Sequence, residues 1–276
     1  MKKEEILAIV IAYNIEEKII LQNINSYKNY VDKVIIVDNS DKENKLNELS
    51  DEKIAYLKLN DNLGIAKALN EGIYYAIKHN YKFVLTMDQD SKFNNNLIEE
   101  YSKNYGKDII IYSPNYIIER KHNKEYKVDS QYLYWTMTSG NLINLELFQK
   151  VGMFKEEFFI DGVDYEYCLR ARKNGYKILQ CNRAILLHNP GITKIKKILF
   201  WNYKYGYMSP TRMYYQIRNL KYISKEYKSF RAELIIIIKF LKIVLLFDNK
   251  KEFFTMFKKG IKDCKENKFG KIESKE

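Results

Sequence analysis

The feature that most constrains this chain is an early alternation of short apolar runs with amphipathic stretches, each run ending in polar residues. Ile6–Ala12 is a continuous apolar run followed by a helical pattern through about Tyr30. Val34–Val37 ends in Asp38-Asn39-Ser40, Ile54–Leu59 reads as a third strand, and Ile65–His79 reads as a helix with small residues on one face. Phe83–Met87 is the fourth strand and runs straight into Asp88-Gln89-Asp90. Apolar strands alternating with helices argue for a mainly parallel sheet covered by helices, an α/β fold. Residues two apart on an extended backbone point the same way, so Asp88 and Asp90 aim two carboxylates at one spot. That spot lies at the C-terminal end of a buried strand, where open α/β sheets place their ligands. A hard divalent cation takes one or two carboxylates plus substrate phosphates. The alternative for an isolated Asp-x-Asp is a polar turn closing a strand.

After Asp90 the pattern loosens. Ile109–Tyr112 and Tyr132–Thr138 read as strands, Leu145–Val151 as a short helix, and Asp164–Asn174 as a helix stopped by Gly175 in the left-handed position past its end. Lys177–Leu179 and Ile185–Leu187 read as short strands, and from about Pro210 the chain reads as helical to its end.

Charge is unevenly placed along the 276 residues, whose net charge is +12. Residues 1–193 carry 26 Lys and Arg against 27 Asp and Glu, a net of −1, whereas residues 194–276 carry 21 against 8, a net of +13. A basic segment of this kind suits an anionic partner, either nucleic acid or an acidic membrane surface. No nucleic-acid motif accompanies it, so no nucleic-acid partner is expected. Leu234–Phe247 is strongly apolar but too short, and interrupted by Lys239 and Lys242, to span a bilayer. On a helical wheel Lys228, Arg231, Lys239 and Lys242 share one side, and Ile237, Phe240, Leu241 and Val244 the other. This fits an interfacial helix lying on anionic lipid or a helix packed on the protein with a solvated basic face; both stay open. Cys168, Cys181 and Cys264 show no metal spacing, which suits a reducing cytoplasm. Met1-Lys2-Lys3-Glu4-Glu5 leads into no run long enough for a signal peptide. The expected location is the cytoplasm, with peripheral attachment to the inner face of the membrane as its open extension. There is no Gly-x-Gly-x-x-Gly after the first strand and no Walker lysine.

Several further segments join the Asp-x-Asp. They are Tyr13-Asn14 after the first strand, Asp38-Asn39-Ser40 after the second, and Asn62-Leu63-Gly64-Ile65-Ala66 opening the following helix. Thr138-Ser139-Gly140-Asn141 comes next, then Phe159-Ile160-Asp161-Gly162-Val163-Asp164-Tyr165-Glu166 running into Cys168-Leu169-Arg170. In this order and spacing, over roughly residues 6–220, the chain resembles the family-two inverting glycosyltransferases of GT-A fold. Met87-Asp88-Gln89-Asp90-Ser91 and the Ile-Asp-x-Val-Asp run resemble the rhamnosyltransferase branch.

The resemblance implies a GT-A catalytic domain over residues 1–207 and a basic helical region over residues 208–276. It implies that Tyr13, Asn14, Asp38, Asn62, Gly64, Asp88 and Arg218 bind a nucleotide-sugar donor, with Asp38 at the nucleobase or ribose. Asp90, Asp88 and His188 would hold Mg²⁺ or Mn²⁺; imidazole suits Mn²⁺ better, and a structural loop histidine is the alternative for His188. Asp164 matches the catalytic base, which takes the proton from an acceptor hydroxyl. It opens a predicted helix, where the macrodipole favours an ionised carboxylate; the plain alternative is an N-cap. Ser139, Gly140 and Asp161 would lie on the acceptor side. Glu166 and Arg170, four apart, can form an intrahelical pair. Arg212-Met213-Tyr214-Tyr215-Gln216-Ile217-Arg218 resembles the family's Arg-rich helix, and Arg218 is favoured over Arg212 as a diphosphate clamp. The absent Gln-x-x-Arg-Trp implies addition of one sugar per encounter. The branch resemblance suggests dTDP-L-rhamnose as donor, with a UDP-hexose or UDP-galactofuranose as alternatives, and a growing glycan, lipid-linked at the inner membrane face, as acceptor. A nucleotide-sugar binder without catalysis is the remaining class, which the presence of Asp88, Asp90 and Asp164 disfavours.

Overall fold

The computed structural model describes residues 1–118, 126–188, 191, 193–198 and 201–272. In chain order β1 (Ile6–Ala12), α1 (Glu17–Asn25), β2 (Lys33–Asp38), β3 (Ile54–Lys58), α2 (Ile65–Lys78) and β4 (Phe83–Asp88) build the first half. β5 (Ser91–Phe93), α3 (Leu97–Lys103), β6 (Ile109–Ile117), β7 (Ser130–Tyr132), β8 (Asn141–Asn144), α4 (Leu145–Val151), α5 (Val163–Lys173) and β9 (Lys177–His188) follow. The remainder comprises β10 (Thr193–Ile198), β11 (Trp201–Gly206), α6 (Pro210–Glu226), α7 (Phe230–Leu245) and α8 (Lys250–Lys265).

One sheet runs in the order β3-β2-β1-β4-β8-β6-β9-β5, with β7 also paired to β9. β1 pairs in parallel with both β2 and β4, and β2 with β3. Beyond β4 the sheet is mixed: β8 is antiparallel to β4 and β6, and β9 parallel to β6. β1 is buried along its whole length because both faces are covered. Leu7, Ile9 and Ile11 join a core with Ala66, Leu69, Ile73 and Ala76 of α2. Ile6, Ala8 and Val10 join a second core with Ile20 and Ile24 of α1. Successive strand side chains point to opposite faces, which is why one apolar run supplies both cores.

The parallel half agrees with the sequence reading; the second half corrects it. β5 and β8, three and four residues long, carry no periodic signal of their own and exist because longer neighbours pair with them. The expected strand at Tyr132–Thr138 ends at Tyr132. Its later backbone is satisfied by side chains instead: Thr86 Oγ1 donates to Thr138 O (2.6 Å) and Tyr116 Oη to Met137 O (3.0 Å). The two short strands expected around Lys177 and Ile185 are one strand, β9, bulged against β6. β10 and β11 form an antiparallel hairpin where no strand was expected.

The C-terminal helices have no core of their own. Met213, Ile217 and Ile223 of α6, Ile243 of α7 and Phe253 of α8 belong to the core on the α2 side of the sheet. α7 rests on the body through Ala232, Ile236 and Ile243. Lys239, expected on an outer basic face, turns inward and donates to Gln216 Oε1, and burial lowers its pKa to about 8. α8 crosses α6 closely at Gly260, where an added Cβ would stand 2.8 Å from the Tyr214 carbonyl oxygen. Gly260→Ala must therefore force α8 from α6, with an expected loss of about 1–3 kcal/mol in urea denaturation; an unchanged midpoint would contradict this packing.

Candidate active site

The site collects at the C-terminal edge of the parallel strands. β4 ends at Asp88, and a tight turn brings Ser91 into register with His188 of β9. Ligand atoms of Asp88, Asp90 and His188 all lie within 4.8 Å of one another. His188 is buried, its Nδ1 2.7 Å from Ser91 Oγ and 3.5 Å from Asp90 Oδ1. Burial raises the Asp88 carboxyl to about 6, with Asp90 adding to the rise and His188 and Arg212 opposing it. Two carboxylates and an imidazole form a hard, mixed O/N donor set, which fits Mg²⁺ or Mn²⁺. Clustered carboxylates in a recessed site repel one another, and a cation would relieve that repulsion.

Gln89, between the two aspartates, faces the other way. Its Oε1 accepts from the Tyr13 N–H (2.7 Å) and its Nε2 donates to the Tyr13 carbonyl (3.3 Å), clasping the end of β1 to the end of β4. Tyr13 Oη and Asn14 Nδ2 both donate to Asp41. Tyr13 and Asn14 are exposed at the rim, and Asn62 is half-buried there, its Oδ1 accepting from Asn39 Nδ2 and the Gly64 N–H.

Asp164 is the second residue of α5, after Gly162 at the N-cap with φ +81°, so it is not the N-cap. The Tyr165 N–H donates to its Oδ1 at 2.8 Å. Burial nevertheless dominates over that bond and over the helix terminus. With Asp161 and Asp88 adding repulsion, it lifts the Asp164 carboxyl to about 7. The macrodipole expectation of a firmly ionised carboxylate is thus corrected: desolvation wins. Tyr116, unremarked in the sequence, has its hydroxyl near both Asp88 and Asp164, which help burial raise its pKa. It sits in a stretch of β6 whose pattern gives no signal for it. Glu166 and Arg170 form the expected pair at 2.9 Å, and Tyr227 Oη donates to the same carboxylate.

Several other residues expected at the site are buried. Asp38 is fully buried; its carboxylate accepts from the Ser40 N–H, Tyr56 Oη and Asn44 Nδ2. Burial pushes its pKa up, but these bonds outweigh it and hold the carboxyl below its ordinary value. It braces the turn after β2. Ser139 is fully buried, its Oγ accepting the Asp88 N–H at 3.0 Å. Gly140, at φ +78°, packs so closely that a Cβ would lie 2.8 Å from Leu186 and Pro114. Ser139 thus holds the Asp88 backbone from behind, while the Gly140 N–H donates to Thr86 O at 2.7 Å. Gly64, at φ +88°, is pressed on Phe159, whose carbonyl accepts the Ile65 N–H at 2.7 Å. It joins two loops, and its own N–H is taken by Asn62 Oδ1.

Arg218 is the largest correction. It is fully buried, and its five N–H donors reach Glu157 O, Phe158 O, Gly270 O, Asn219 Oδ1 and Tyr214 Oη. Arg212, six residues earlier and so about 240° around the helix, takes the position at the site. Its Nε and Nη2 donate to Asp161 at 2.9 and 3.3 Å, and Gln216 Nε2 donates to the same carboxylate at 3.0 Å. Asp161 chiefly, with Asp88 and Asp164 adding, raises the Arg212 pKa.

Comparison with known proteins bears on the family and the fold. Residues 7–161 match the family described as Glycosyl transferase family 2. The chain is 30% identical over 234 residues to the dTDP-rhamnosyl transferase RfbF of Shigella flexneri, covering 78% of each. It is 24% identical over 222 residues to the low-salt glycan biosynthesis hexosyltransferase Agl10 of Haloferax volcanii, covering 70% of each. Among solved structures, GalNAc-T7 with UDP, GalNAc and Mn²⁺ superposes with a TM-score of 0.62 at 13% identity, over 95% of this chain and 56% of that one. S. aureus TarS superposes with a TM-score of 0.53 at 18% identity, over 90% of this chain and 44% of that one. The chain thus spans about half the length of those two structures, and they bear on the fold alone. That fold is the GT-A glycosyltransferase fold, and the chain belongs to glycosyl transferase family 2.

Proposed function

We propose that this glycosyltransferase is inverting and non-processive, and that it moves L-rhamnose from dTDP-rhamnose onto a hydroxyl of a growing cell-surface glycan. The observation that carries the reading is the convergence of Asp164 with Asp88, Asp90 and His188 at one edge of the sheet. Asp88, Asp90 and His188 would hold Mg²⁺ or Mn²⁺. When bound, such a cation stabilises the charge on the departing nucleoside diphosphate. Tyr13, Asn14 and Asn62 offer a rim for the nucleotide, and Arg212 offers a guanidinium suited to its diphosphate. Asp164 takes the proton from the acceptor hydroxyl as that oxygen bonds to the anomeric carbon and the bond to diphosphate breaks on the opposite face. A carboxyl near 7 suits this task, because a base is most effective when its pKa lies near the working pH.

The rhamnosyl donor is favoured by the relative at 30% identity; the hexosyltransferase relative supports a hexose donor as the second reading, UDP-galactofuranose being a further one. The division into a catalytic unit over residues 1–207 and a helical region over 208–276 is kept as a functional one, since the two share a core. Among the described residues no helix is long and apolar enough to cross a membrane. A lipid-linked acceptor would be met by peripheral attachment from the cytoplasm.

Three outcomes test this reading. Asp164→Asn should retain donor binding in a thermal-shift assay while turnover falls by roughly 10²–10⁴-fold; full activity would remove Asp164 as the base. Because the base works only when deprotonated, kcat should rise with pH until about 7 and then level off. A profile flat from pH 5 to 8 would contradict the assignment. EDTA should abolish transfer and added Mn²⁺ or Mg²⁺ restore it; turnover indifferent to chelation would undo the role of Asp88 and Asp90.

A further inference from the structure

α7 presents an apolar stripe to solvent. Phe230, Leu234, Ile237, Ile238, Leu241 and Leu245 are each between 43% and 79% exposed. At 3.6 residues per turn they fall within an arc of roughly 100° and run the length of the helix, about 24 Å. Two or three such side chains on a soluble surface need no explanation, but six in a continuous strip mark a contact site. The inner face accounts for the reversal. Ala232, Ile236 and Ile243 fill the contact with the body, and Lys239 is turned inward onto Gln216, which leaves the larger apolar set outside.

Positive charge frames the stripe without interrupting it. Arg231 and Lys242 border it along one edge of the wheel. On the other edge Phe240 packs on Phe254 and Phe257 of α8 (ring centroids 5.5 and 5.8 Å). A groove there has an aromatic floor of Phe240 and Phe254 and a rim of Lys251, Thr255 and Lys258. The stripe belongs to the segment 194–276, with its net charge of +13. A second copy of the chain docked by a two-fold axis on this face would bring two such segments together, which like-charge repulsion opposes. An acidic surface with an apolar interior matches both features at once.

We propose that α7 is an interfacial helix whose outer stripe enters the surface of an acidic phospholipid bilayer, with Lys242, Lys251 and Lys258 meeting the headgroup phosphates. Apolar burial and attraction to anionic lipid act together in such helices. The inner face of the same helix reaches the site: Lys239 donates to Gln216, which donates to Asp161. The docked orientation therefore ties the lipid-facing helix, through α6, to the Asp161 loop that leads into α5. That consequence rests on the transferase reading; the docking itself does not.

The test is co-sedimentation of the full chain with vesicles, without donor or acceptor, so that its outcome is independent of catalysis. Wild type should sediment with phosphatidylglycerol–phosphatidylcholine vesicles and far less with phosphatidylcholine alone, and high salt should release it. Ile237→Glu with Leu241→Glu should lower partitioning roughly tenfold or more without moving the thermal midpoint, since both positions are exposed. Lys251→Glu with Lys258→Glu should weaken binding to the acidic vesicles. In a second measurement that keeps the surface apolar, Leu241→Trp should be quenched by brominated lipid. The proposal is overturned if wild type stays in the supernatant, if the Glu pair binds as well as wild type, or if Leu241→Trp is not quenched. It is equally overturned if the Glu pair only converts a dimer to a monomer in sedimentation velocity while vesicle binding persists, for a second copy then covers the stripe.

Discussion

The arrangement of the site depends on a guanidinium that never reaches it. Arg218 is buried with its five donors committed to acceptors in the protein, three of them main-chain carbonyls at Glu157, Phe158 and Gly270. Beside it, Asn219 Nδ2 donates to the carbonyls of Phe158, Ile160 and Asp161. Two adjacent residues of α6 thus fix the loop that leads into α5. Phe159 and Asp161 hold φ +63° there, a conformation that costs non-glycine residues free energy and persists only where surrounding contacts impose it. The same guanidinium ties the chain near Gly270 to this loop, so the late part of the sequence sets the position of Asp164.

What the fixed loop delivers is a group of carboxylates held close together and away from bulk water. Burial raises Asp88 and Asp164; repulsion from Asp90 adds to the first, and from Asp161 and Asp88 to the second. The neighbours divide the compensation: His188 and Arg212 oppose the rise at Asp88, while Arg212 and Gln216 anchor Asp161. A site built this way favours cations and protonation, because both relieve the same desolvation cost. The supporting bonds come from behind, with the Ser139 hydroxyl on the Asp88 amide and the Gln89 amide on the Tyr13 backbone.

Much of the parallel half of the sheet was legible from residues. β1, β2, β3 and β4 are apolar runs whose ends are marked by polar residues, and a strand covered on both faces must read that way. Asp88 and Asp90 could be paired from their spacing, and Glu166 with Arg170 from theirs. β8 and β5 could not be found, since strands of three or four residues owe their existence to partners distant in sequence. The placement of the expected site residues was less legible. Asp38, Ser139, Gly64 and Arg218 are polar or small residues in suggestive positions, and whether such a residue meets a ligand or the protein depends on what covers it.

The sequence alone determined the α/β class, the pairing of Asp88 with Asp90 at a strand end and the concentration of positive charge in the last third. These follow from local rules: strand period, helix period and residue chemistry act between near neighbours. Only the tertiary structure decided that Arg212 faces the site while Arg218 is buried. It alone decided that Asp164 is desolvated in spite of its helix terminus, and that α7 turns Lys239 inward and its apolar stripe outward. Each of these depends on which surfaces meet after the chain has closed, and burial, unlike period, is a property of contacts between segments far apart in sequence.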